Sequence, residues 1–593
     1  MMSRKSVRVG NFSGFYGDRS DALDALLEGE VDFVTGDFLA ELTMSILNKA
    51  KQKDQSQGYA RTLLPQLHRN LSKLAERGIK VVTNAGGVAP RALAELLNKT
   101  IADLGYKLKV ALVDGDDLLG ARNSALEELR HLDVGSKIDL DGKEVIAANC
   151  YLGAFGIARA LDLGADIVIT GRVTDAALAM GPAISYHHWG RDDYDQLAGA
   201  LVAGHIIECG SQACGGNYSF LDEVKDEGLF GLPIAEILSD GSSIITKSAN
   251  SGGLVSIGTI TSQLLYEIGS PFYLNPDVIA DFRTIDITET AVNEVTVSKV
   301  KGYPPTEDLK VSLLVDGGYK NSMTAVITGL DPEKKAELLI KHLKLKIDLS
   351  QFDSFETQFL PGAKANPQSN EEANSYLKIS VTSSSEGLAG RTFSNSIVEL
   401  ALSNYAGFHA TTPPTPATRF DRYIPALINR QLTTETMSFI GSVNVSETIG
   451  HPLDFSTISD LMDLEAEEGS VKVGFEGGVD DNDFVTAPLG SIVGARSGDK
   501  GGDCNIGLFT KSRESYDWLA NFLTVERFSK LFPDFGNFKI ERHRLDNIFA
   551  LNFVIHGLLG EGVSSSNRSD PQAKGAGEYV RSRLVAIPSM LLK

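Results

Sequence analysis

The feature that most constrains the fold is a repeated unit of a short apolar strand, a polar turn and an amphipathic helix, which recurs between Val7 and Met180. Its clearest copy covers residues 166–183, where the run DIVIT is followed by GRVTD and an apolar helix. Such a run suits a strand buried on both faces of a parallel sheet, and Thr174 or Asp175 is predicted to cap the helix. Strands that alternate with helices predict an α/β fold with a mainly parallel, helix-covered sheet.

Polar residues follow the predicted strands directly. The earlier strands are predicted at residues 7–11, 31–35, 79–83 and 108–113. Right-handed crossovers bring their carboxyl ends to one edge of the sheet, where open α/β sheets bind ligands. Helix capping would explain each turn singly, but the shared location favours a site. The candidate substrate-binding residues at this edge are Ser13, Gly14, Asp37, Asn84, Gly86, Gly87, Asp114 and Asp116, with Arg172 and Asp175 as candidate catalytic residues.

The segment 204–217 adds a second polar group where a predicted helix ends in glycines. It contains the candidate catalytic residues His205, Glu208 and Cys209 and the candidate substrate-binding residues Gln212 and Asn217. His205 and Glu208 share a helical face, but the pair lacks a second histidine at ligand spacing, so no metal is predicted. Cys209 could be a nucleophile with His205 or Glu208 as its base, although a buried, inert thiol is the commoner fate.

The middle of the chain follows a looser pattern. Residues 231–236, 240–241 and 251–253 are interpreted as turns, and residues 290–300 and 309–315 as antiparallel strands. Residues 333–346 predict an amphipathic helix. The region is either an α+β continuation of the first domain or a second domain, with a possible sub-boundary near residue 250.

The last part of the chain predicts a separate small domain. The chain has 593 residues, which suggests two to four domains. We expect a large α/β domain over residues 1–453, an acidic linker over residues 454–483 and a small α+β domain over residues 484–593. In this last domain Arg496 and Lys500 lie among glycines, followed by Asn505, and all three are candidate substrate-binding residues. The glycine-rich stretch could bind an anion or form a simple hairpin turn.

Composition restricts the partners. The formal net charge of −21 argues against a nucleic-acid surface or an anionic membrane as partner. The opening MMSRKSVRVG lacks the apolar core of a secretion signal, and no apolar run is long enough for a membrane helix. Four irregularly spaced cysteines fit neither a disulfide framework nor a zinc site. We therefore expect a cytoplasmic protein.

Long ordered motifs along nearly the whole chain resemble the acyclic terpene utilisation family, which has been catalogued as a domain of unknown function. The motifs are NFSGFYGDR (11–19), VTGDF (34–38), TNAGG (83–87), GRVTD (171–175), HIIECGSQACGGN (205–217) and GRTFSN (390–395). Residues 495–507 and 550–575 resemble the ferredoxin-like domain found with this family. The resemblance implies a role in the breakdown of branched, terpenoid acyl chains as coenzyme A thioesters, beside biotin-dependent carboxylases and hydratases.

Three functions follow as hypotheses. The first is a cofactor-independent lyase or hydratase that acts on a branched acyl substrate, expected to be a CoA thioester, or on a related carboxylic substrate. In it Asp175, His205 or Glu208 would be the acid or base, and Arg172 and Asn84 would hold an oxyanion or carboxylate. The second is a hydrolase with Cys209 as nucleophile. The third is a non-catalytic partner subunit of an acyl-CoA carboxylase system. No cofactor is predicted beyond CoA as part of the substrate, and we expect a homo-oligomer with a small-molecule substrate.

Overall fold

The computed structural model describes residues 6–121, 123–224, 228–411, 413–441, 445–461 and 483–592. Most of the predicted acidic linker, residues 462–482, lies outside the described residues. Within the described ranges, no helix combines the length and the apolar character needed to cross a membrane.

Helices and strands alternate through the first part of the chain, and strands dominate afterwards. The helices are α1 Ala22–Leu26, α2 Glu41–Lys53, α3 Leu63–Arg77, α4 Pro90–Asp103, α5 Leu118–Ala121, α6 Asn123–Leu126, α7 Phe155–Asp162, α8 Ala177–His187, α9 Tyr194–Ile207, α10 Ile257–Leu264, α11 Pro332–Lys346, α12 Phe393–Val398, α13 Arg513–Phe522, α14 Val525–Leu531 and α15 Ala576–Arg581. The strands up to the middle of the chain are β1 Ser6–Asn11, β2 Phe33–Gly36, β3 Lys80–Thr83, β4 Val110–Asp114, β5 Arg130–His131, β6 Val145–Cys150, β7 Ile167–Thr170, β8 Pro233–Leu238, β9 Ser243–Lys247, β10 Phe272–Leu274, β11 Ile279–Asp281, β12 Asp286–Ala291, β13 Glu294–Ser298 and β14 Lys301–Tyr303. The remaining strands are β15 Asp308–Thr328, β16 Ser354–Leu360, β17 Asn374–Ser383, β18 His409–Ala410, β19 Thr418–Asn429, β20 Thr436–Phe439, β21 Ser446–Thr448, β22 Phe484–Pro488, β23 Val493–Lys500, β24 Asp503–Thr510, β25 Ile540–Leu545, β26 Ala550–Ile555 and β27 Leu584–Pro588.

The largest sheet has a parallel centre and antiparallel edges. Its order is β12-β13-β9-β8-β1-β2-β3-β7-β4-β20-β21, and only the five strands from β1 to β4 in this order pair in parallel. The expectation of a mainly parallel sheet is wrong for the sheet as a whole, which is mixed. Strands β8 and β9, which lie beside the parallel centre, follow each other through a short turn, and such a connection pairs strands antiparallel. Strands from both sides of residue 250 share this sheet.

The central strands are buried on both faces. Along β4, Ala111 and Val113 join a core with α7, α8 and α9, while Val110 and Leu112 join another core with α3 and α4. Alternate side chains of a strand point to opposite faces, so helices cover the sheet on both sides. This burial explains the continuous apolar runs, and it leaves the strand ends as the place where polar side chains collect.

A second sheet is antiparallel and lies against the carboxyl edge of the first. Its order is β16-β17-β15-β19-β5, and β6 and β18 also pair with β15. The long strand β15 carries Lys310, and its neighbour β19 carries Tyr423. Residues 231–236, interpreted as a turn, instead enter strand β8, because Pro233 stands at the first position of the strand, where proline is tolerated.

The C-terminal domain is a four-stranded antiparallel sheet in the order β23-β24-β26-β25 with its own apolar core. Arg496 and Lys500 lie on strand β23 and not in a turn. The turn that joins β23 to β24 is a short hairpin turn at residues 501–502. The sheet packs closely on the first domain: a Cβ at Gly507 would lie 2.4 Å from the Leu265 Cβ, and one at Gly498 would lie 2.4 Å from the Tyr266 ring.

Candidate functional site

Two polar residues at the ends of β2 and β3 are joined by hydrogen bonds. The Asn84 side chain donates to Asp37 Oδ1 (2.6 Å) and accepts from the Phe38 N–H (2.8 Å). Both side chains are buried, and the β2 turn is thereby held against the β3 turn. Gly86 and Gly87 shape the same turn: Gly87 has a φ of 54°, and a Cβ at Gly86 would lie 2.3 Å from the Thr170 carbonyl oxygen.

The β7 turn carries a buried arginine. The Arg172 guanidinium donates to Asp175 Oδ1 (2.5 Å) and lies 4.1 Å from the centre of the Tyr151 ring. The Arg172 backbone N–H donates to Asp116 Oδ2 (2.9 Å), which also accepts from Asn149 (2.8 Å). Neither Thr174 nor Asp175 caps α8 through its side chain, contrary to expectation, since the Asp175 carboxylate is paired with Arg172.

The end of α9 meets the β1 turn. The Asn11 side chain donates to the carbonyl oxygens of Ile207 (2.9 Å) and Glu208 (2.7 Å). A Cβ at Gly14 would lie 2.8 Å from the Cys209 carbonyl carbon, so only glycine permits this approach. Ser13 is buried in the same turn, and its hydroxyl donates to the Phe15 carbonyl oxygen.

His205 and Glu208 form a buried pair, with 3.1 Å between His205 Nδ1 and Glu208 Oε1. Within the described residues, His205 Nε2 and Glu208 Oε2 have no hydrogen-bond partner. Burial lowers the pKa of His205 to about 4. Burial, and next the Asp175 charge, raise the pKa of Glu208 well above its ordinary value. Burial therefore favours the uncharged form of both side chains, and a protonated Glu208 could give its proton to a ligand.

The other buried carboxyl groups at this edge also resist ionisation. Burial, and next the Asp175 charge, raise the pKa of Asp37, while burial raises the pKa of Asp116 to about 7. Arg172 stays protonated because Asp175, Tyr151 and Glu41 outweigh the effect of its burial on its pKa. At this edge, several carboxyl groups thus surround one buried cation, Arg172, and its charge cannot compensate for all of them.

A tyrosine links this edge to the second sheet. The Tyr151 hydroxyl donates to Glu41 Oε1 (2.8 Å), which also lies 3.4 Å from Lys310 Nζ. The Lys310 ammonium lies 4.7 Å from the centre of the Tyr151 ring, so this ring contacts both Arg172 and Lys310. Burial would raise the pKa of Glu41, but Lys310 and Arg172 lower it to about 2.

A cavity of about 220 Å³ lies beside Tyr151 and Thr174, between the second sheet and the C-terminal domain. Arg172, Asp175 and Glu208 are not among its lining residues. Its polar lining includes Tyr151, Thr174, Tyr273, Lys310, Tyr423 and Lys500, and its apolar lining includes Leu132, Phe272, Leu274, Leu309 and Leu427. Asp133, Tyr423 and Pro425 also line an outer cleft of about 590 Å³ beside the C-terminal turns at residues 502–503 and 556–557. The cavity therefore has a polar side and an apolar side and adjoins a larger, open cleft.

The C-terminal domain reaches the site through β23 and β24. The Lys500 ammonium donates to the Glu267 carbonyl oxygen (2.9 Å), and Asn505 Oδ1 accepts from the Glu267 N–H (2.8 Å). The Arg496 side chain donates to Gln212 and lies 4.1 Å from the centre of the Tyr266 ring. Of the three candidates, only Lys500 lines the cavity, while Arg496 and Asn505 join the two domains.

Some candidates lie outside this arrangement. Asp114 forms a distant ion pair with Arg91 (3.8 Å) on α4. Asn217 is exposed, and its φ of 56° is typical of a turn residue. Cys209 lies beside Glu208, and burial raises the pKa of its thiol well above the ordinary value. Among the described residues, no group of three or more His, Cys, Asp or Glu side chains is arranged to hold a metal ion.

Two family models match the chain. The model of acyclic terpene utilisation family protein AtuA matches residues 7–439, and that of the AtuA ferredoxin-like domain matches residues 487–586. The chain belongs to the acyclic terpene utilisation family. The first match contains the strand ends, the cavity walls and the Glu41–Lys310 pair, and the second contains Lys500. No curated protein matches the chain.

Sequence reasoning missed several site residues of this family member. Asn11 is the last residue of the strand predicted at residues 7–11, and Tyr151 directly follows strand β6. Positions at strand ends were therefore a usable signal. Glu41, Lys310 and Tyr423 gave no such signal, because each is an ordinary residue of a helix or of an antiparallel strand. Their role depends on the packing of the second sheet against the first.

Proposed function

We propose that the chain is an enzyme of the lyase or hydratase type that acts on a branched acyl substrate through acid–base chemistry. One observation carries this proposal: the Asp175 carboxylate, which is ion-paired with Arg172, lies in one cluster with the Glu208 carboxyl group, whose pKa is raised by burial. Two carboxyl groups in different protonation states are what a reaction needs when one group must accept a proton and another must give one.

The roles follow from the contacts of each group. About 29% of the Asp175 side chain is exposed, so this carboxylate can reach a ligand and serve as the base. Glu208 would serve as the acid, and Arg172 would stabilise negative charge on the carbonyl oxygen of the substrate. In a hydration, Asp175 takes a proton from water as the oxygen bonds to the β-carbon, and Glu208 gives its proton to the α-carbon. A retro-aldol cleavage uses the same groups on a substrate hydroxyl and on the departing carbanion.

The lining of the cavity and the adjoining cleft support the proposal that the substrate is an acyl group on a long carrier. Its apolar wall suits a branched alkyl group, and the outer cleft that shares Tyr423 and Pro425 offers a path for the arm of a CoA thioester. We expect no further cofactor, a cytoplasmic location, in keeping with the four free cysteines, and a homo-oligomeric state that light scattering would measure.

The Cys209 hydrolase is the weaker alternative. A cysteine nucleophile needs its thiolate, and burial favours the protonated thiol of Cys209. A non-catalytic partner subunit would need neither this cavity nor the buried Glu208 carboxyl group, and these two features favour an enzyme.

The test is a panel of branched acyl-CoA thioesters and the corresponding free acids, with products identified by mass spectrometry. We expect the wild-type protein to add water to one member or to cleave a carbon–carbon bond in it. Arg172→Met should lose this activity, because the oxyanion loses its cation. The matched control is Arg159→Met, which removes a partly exposed arginine on α7 and should keep the activity.

Turnover that is equal in the wild-type protein and in Arg172→Met would contradict the proposal. So would hydrolysis of the thioester bond as the main reaction, since this would favour the hydrolase. Thermal melts of both variants would establish that a loss of turnover is not a loss of fold.

A further inference from the structure

We propose that the cavity binds a substrate that carries a free carboxylate in addition to its acyl group, and that Lys310 and Lys500 hold this carboxylate between them. The inference rests on the proposed function, because it concerns the substrate of the same site. The class of substrate is then a branched dicarboxylic acid, free or as its mono-thioester.

The two lysines reach one cavity from different parts of the fold. Lys310 comes from β15 of the second sheet, and Lys500 comes from β23 of the C-terminal domain. The Lys310 ammonium has Glu41 at 3.4 Å, whereas Lys500 donates to a backbone carbonyl oxygen at 2.9 Å. Within the described ranges, Lys500 has no carboxylate within 4.0 Å of its nitrogen. One of the two cations therefore lacks a close counter-ion.

Two hydroxyl groups in the cavity wall are also free to bind. Considering the described residues, the buried Tyr423 hydroxyl and the buried Thr174 Oγ1 have no hydrogen-bond partner. A buried hydroxyl without a partner is costly, so a ligand that accepts hydrogen bonds would stabilise both. A carboxylate accepts several hydrogen bonds at once and suits this set of donors.

Lys500 shares the cavity with the Lys310 ammonium and with two carboxyl groups, of which Asp308 is paired with Arg130 (2.6 Å) and Asp133 lies 3.8 Å from His131. Lys500 is an exposed residue, but desolvation of its ammonium beside the cavity wall, and next the positive charge of Lys310, lower its pKa to about 8. The nearby Glu267 and Glu41 offset part of this decrease in the pKa of Lys500. Lys310 stays charged, since Tyr151, Tyr423 and Glu41 outweigh the effect of burial on its pKa. A bound carboxylate would relieve the repulsion between the two ammonium groups.

The rest of the wall limits the substrate further. Leu274, Leu309 and Leu427 line the same cavity and offer no hydrogen bonds, so the carbon skeleton next to the carboxylate should be apolar. A branched alkyl chain with a carboxylate at one end satisfies both sides of the cavity.

The test measures binding by calorimetry with 3-methylglutarate and its uncharged diamide. We expect saturable binding of the dicarboxylate and none of the diamide. Lys310→Met and Lys500→Met should each weaken binding by about tenfold or more, as expected for the loss of a charge-assisted contact. The matched control is Lys344→Met, an exposed lysine on α11 that should bind as the wild-type protein does. Equal binding of the diamide, or unchanged binding by both cavity variants, would overturn the proposal.

A second measurement needs no variant. Reductive methylation of the wild-type protein, followed by peptide mass spectrometry, should modify Lys500 early, and 3-methylglutarate should protect it. Modification at the same rate with and without the ligand would count against the inference. Because neither experiment requires turnover, binding of the dicarboxylate without any reaction on the thioester panel would defeat only the proposed function. Turnover of thioesters that lack a second carboxylate, with no dicarboxylate binding, would defeat only this inference.

Discussion

At the scale of single residues, the site depends on how burial and nearby charges affect the protonation of chemically similar groups. Asp175 and Glu208 are both carboxyl groups, but Asp175 is ion-paired with Arg172, while Glu208 is buried against an uncharged His205. Desolvation disfavours the charged form of a buried acid unless a cation compensates for it. The same rule applies to Cys209, because burial raises the pKa of its thiol and so favours the protonated form.

The first prediction compares Asp175→Asn with Cys209→Ser. Asp175→Asn should lower kcat by about 10²–10⁴, the usual contribution of a positioned acid or base. Cys209→Ser should keep substantial activity, because its sulfur packs rather than reacts. The measurement is steady-state kinetics on the substrate found in the thioester panel, with thermal melts to establish folding. An inactive Cys209→Ser protein beside an active Asp175→Asn protein would reverse the assignment, and iodoacetamide should then inactivate the enzyme with protection by substrate.

At the scale of elements, glycines set the distances between the turns at the carboxyl edge of the first sheet. Gly14 brings the β1 turn against the backbone after α9, and Gly171 allows the Asp116 carboxylate to sit against the β7 turn. A Cβ at Gly171 would lie 2.3 Å from Asp116 Oδ1. The positions of Glu208 and Asp116 therefore depend on missing side chains elsewhere.

The second prediction concerns Gly14→Ala. The new methyl group would lie 2.8 Å from the Cys209 carbonyl carbon, so either the β1 turn or the Glu208 segment must move. We expect a loss of about 1–3 kcal/mol in the free energy of unfolding, together with reduced turnover. Urea denaturation and kinetics would measure both. Gly29→Ala is the control, since its nearest contact would be 3.6 Å away, and equal effects of the two substitutions would contradict the argument.

A second element-scale feature is the pair of carboxyl groups at the start of α7. Asp277 Oδ2 accepts from the Ala154 N–H (2.6 Å), and the Glu435 carboxyl group lies against Gly156. Burial, and next the Asp277 charge, raise the pKa of Glu435 to about 8. The folded protein thus keeps a proton on Glu435 that the unfolded chain loses near the ordinary pKa of 4.5.

The third prediction follows from this difference. Between about pH 4.5 and pH 8 the folded state binds more protons at Glu435 than the unfolded state does, so the free energy of unfolding falls as pH rises. Glu435→Gln should remove this decrease. Between pH 5 and pH 9, the free energy of unfolding of the variant should rise relative to that of the wild-type protein by about 1–3 kcal/mol. Chemical denaturation at both pH values would measure the gain. The exposed Glu386→Gln should change nothing, and a Glu435→Gln protein with the wild-type pH dependence would show the argument to be wrong.

At the scale of the whole molecule, the two domains are held together by buried amides. Asn552 on β26 donates to the carbonyl oxygens of Ile268 (3.2 Å) and Gly269 (2.6 Å) and accepts from Asn505 (2.5 Å). The segment that these amides hold also contains Glu267, the hydrogen-bond partner of Lys500. The position of Lys500 in the cavity is therefore coupled to the docking of the domains.

The fourth prediction tests this coupling with Asn552→Ala. It leaves two buried carbonyl oxygens without their donor, which should cost about 1–3 kcal/mol in the free energy of unfolding. Proteolysis near residues 265–270 should also become faster, and binding of 3-methylglutarate should weaken. The control Asn521→Ala removes an exposed helix residue and should be neutral. A stable Asn552→Ala protein with unchanged proteolysis would mean that apolar contacts alone dock the domains.

Local patterns were sufficient to predict the strands and the polar residues that follow them. The runs at β1, β2, β3, β4 and β7 are short and apolar because both faces of the central sheet are covered, and this periodicity can be recognised without coordinates. Asp37, Asn84, Asp116 and Arg172 were found for the same reason, since each stands next to its strand in the chain. The small C-terminal domain was also predicted from its own compact set of strands and helices.

The sequence by itself thus determined which polar residues stand at the ends of the central strands. Only the tertiary structure decided what faces them. The antiparallel edges of the sheet, the position of Lys310 and Tyr423, and the arrival of Lys500 depend on pairing and packing between distant segments. Such contacts are selected by the fit of whole surfaces, which no local spacing records. Whether Glu208 holds a proton was decided in the same way, because its pKa depends on how much water the surrounding elements exclude.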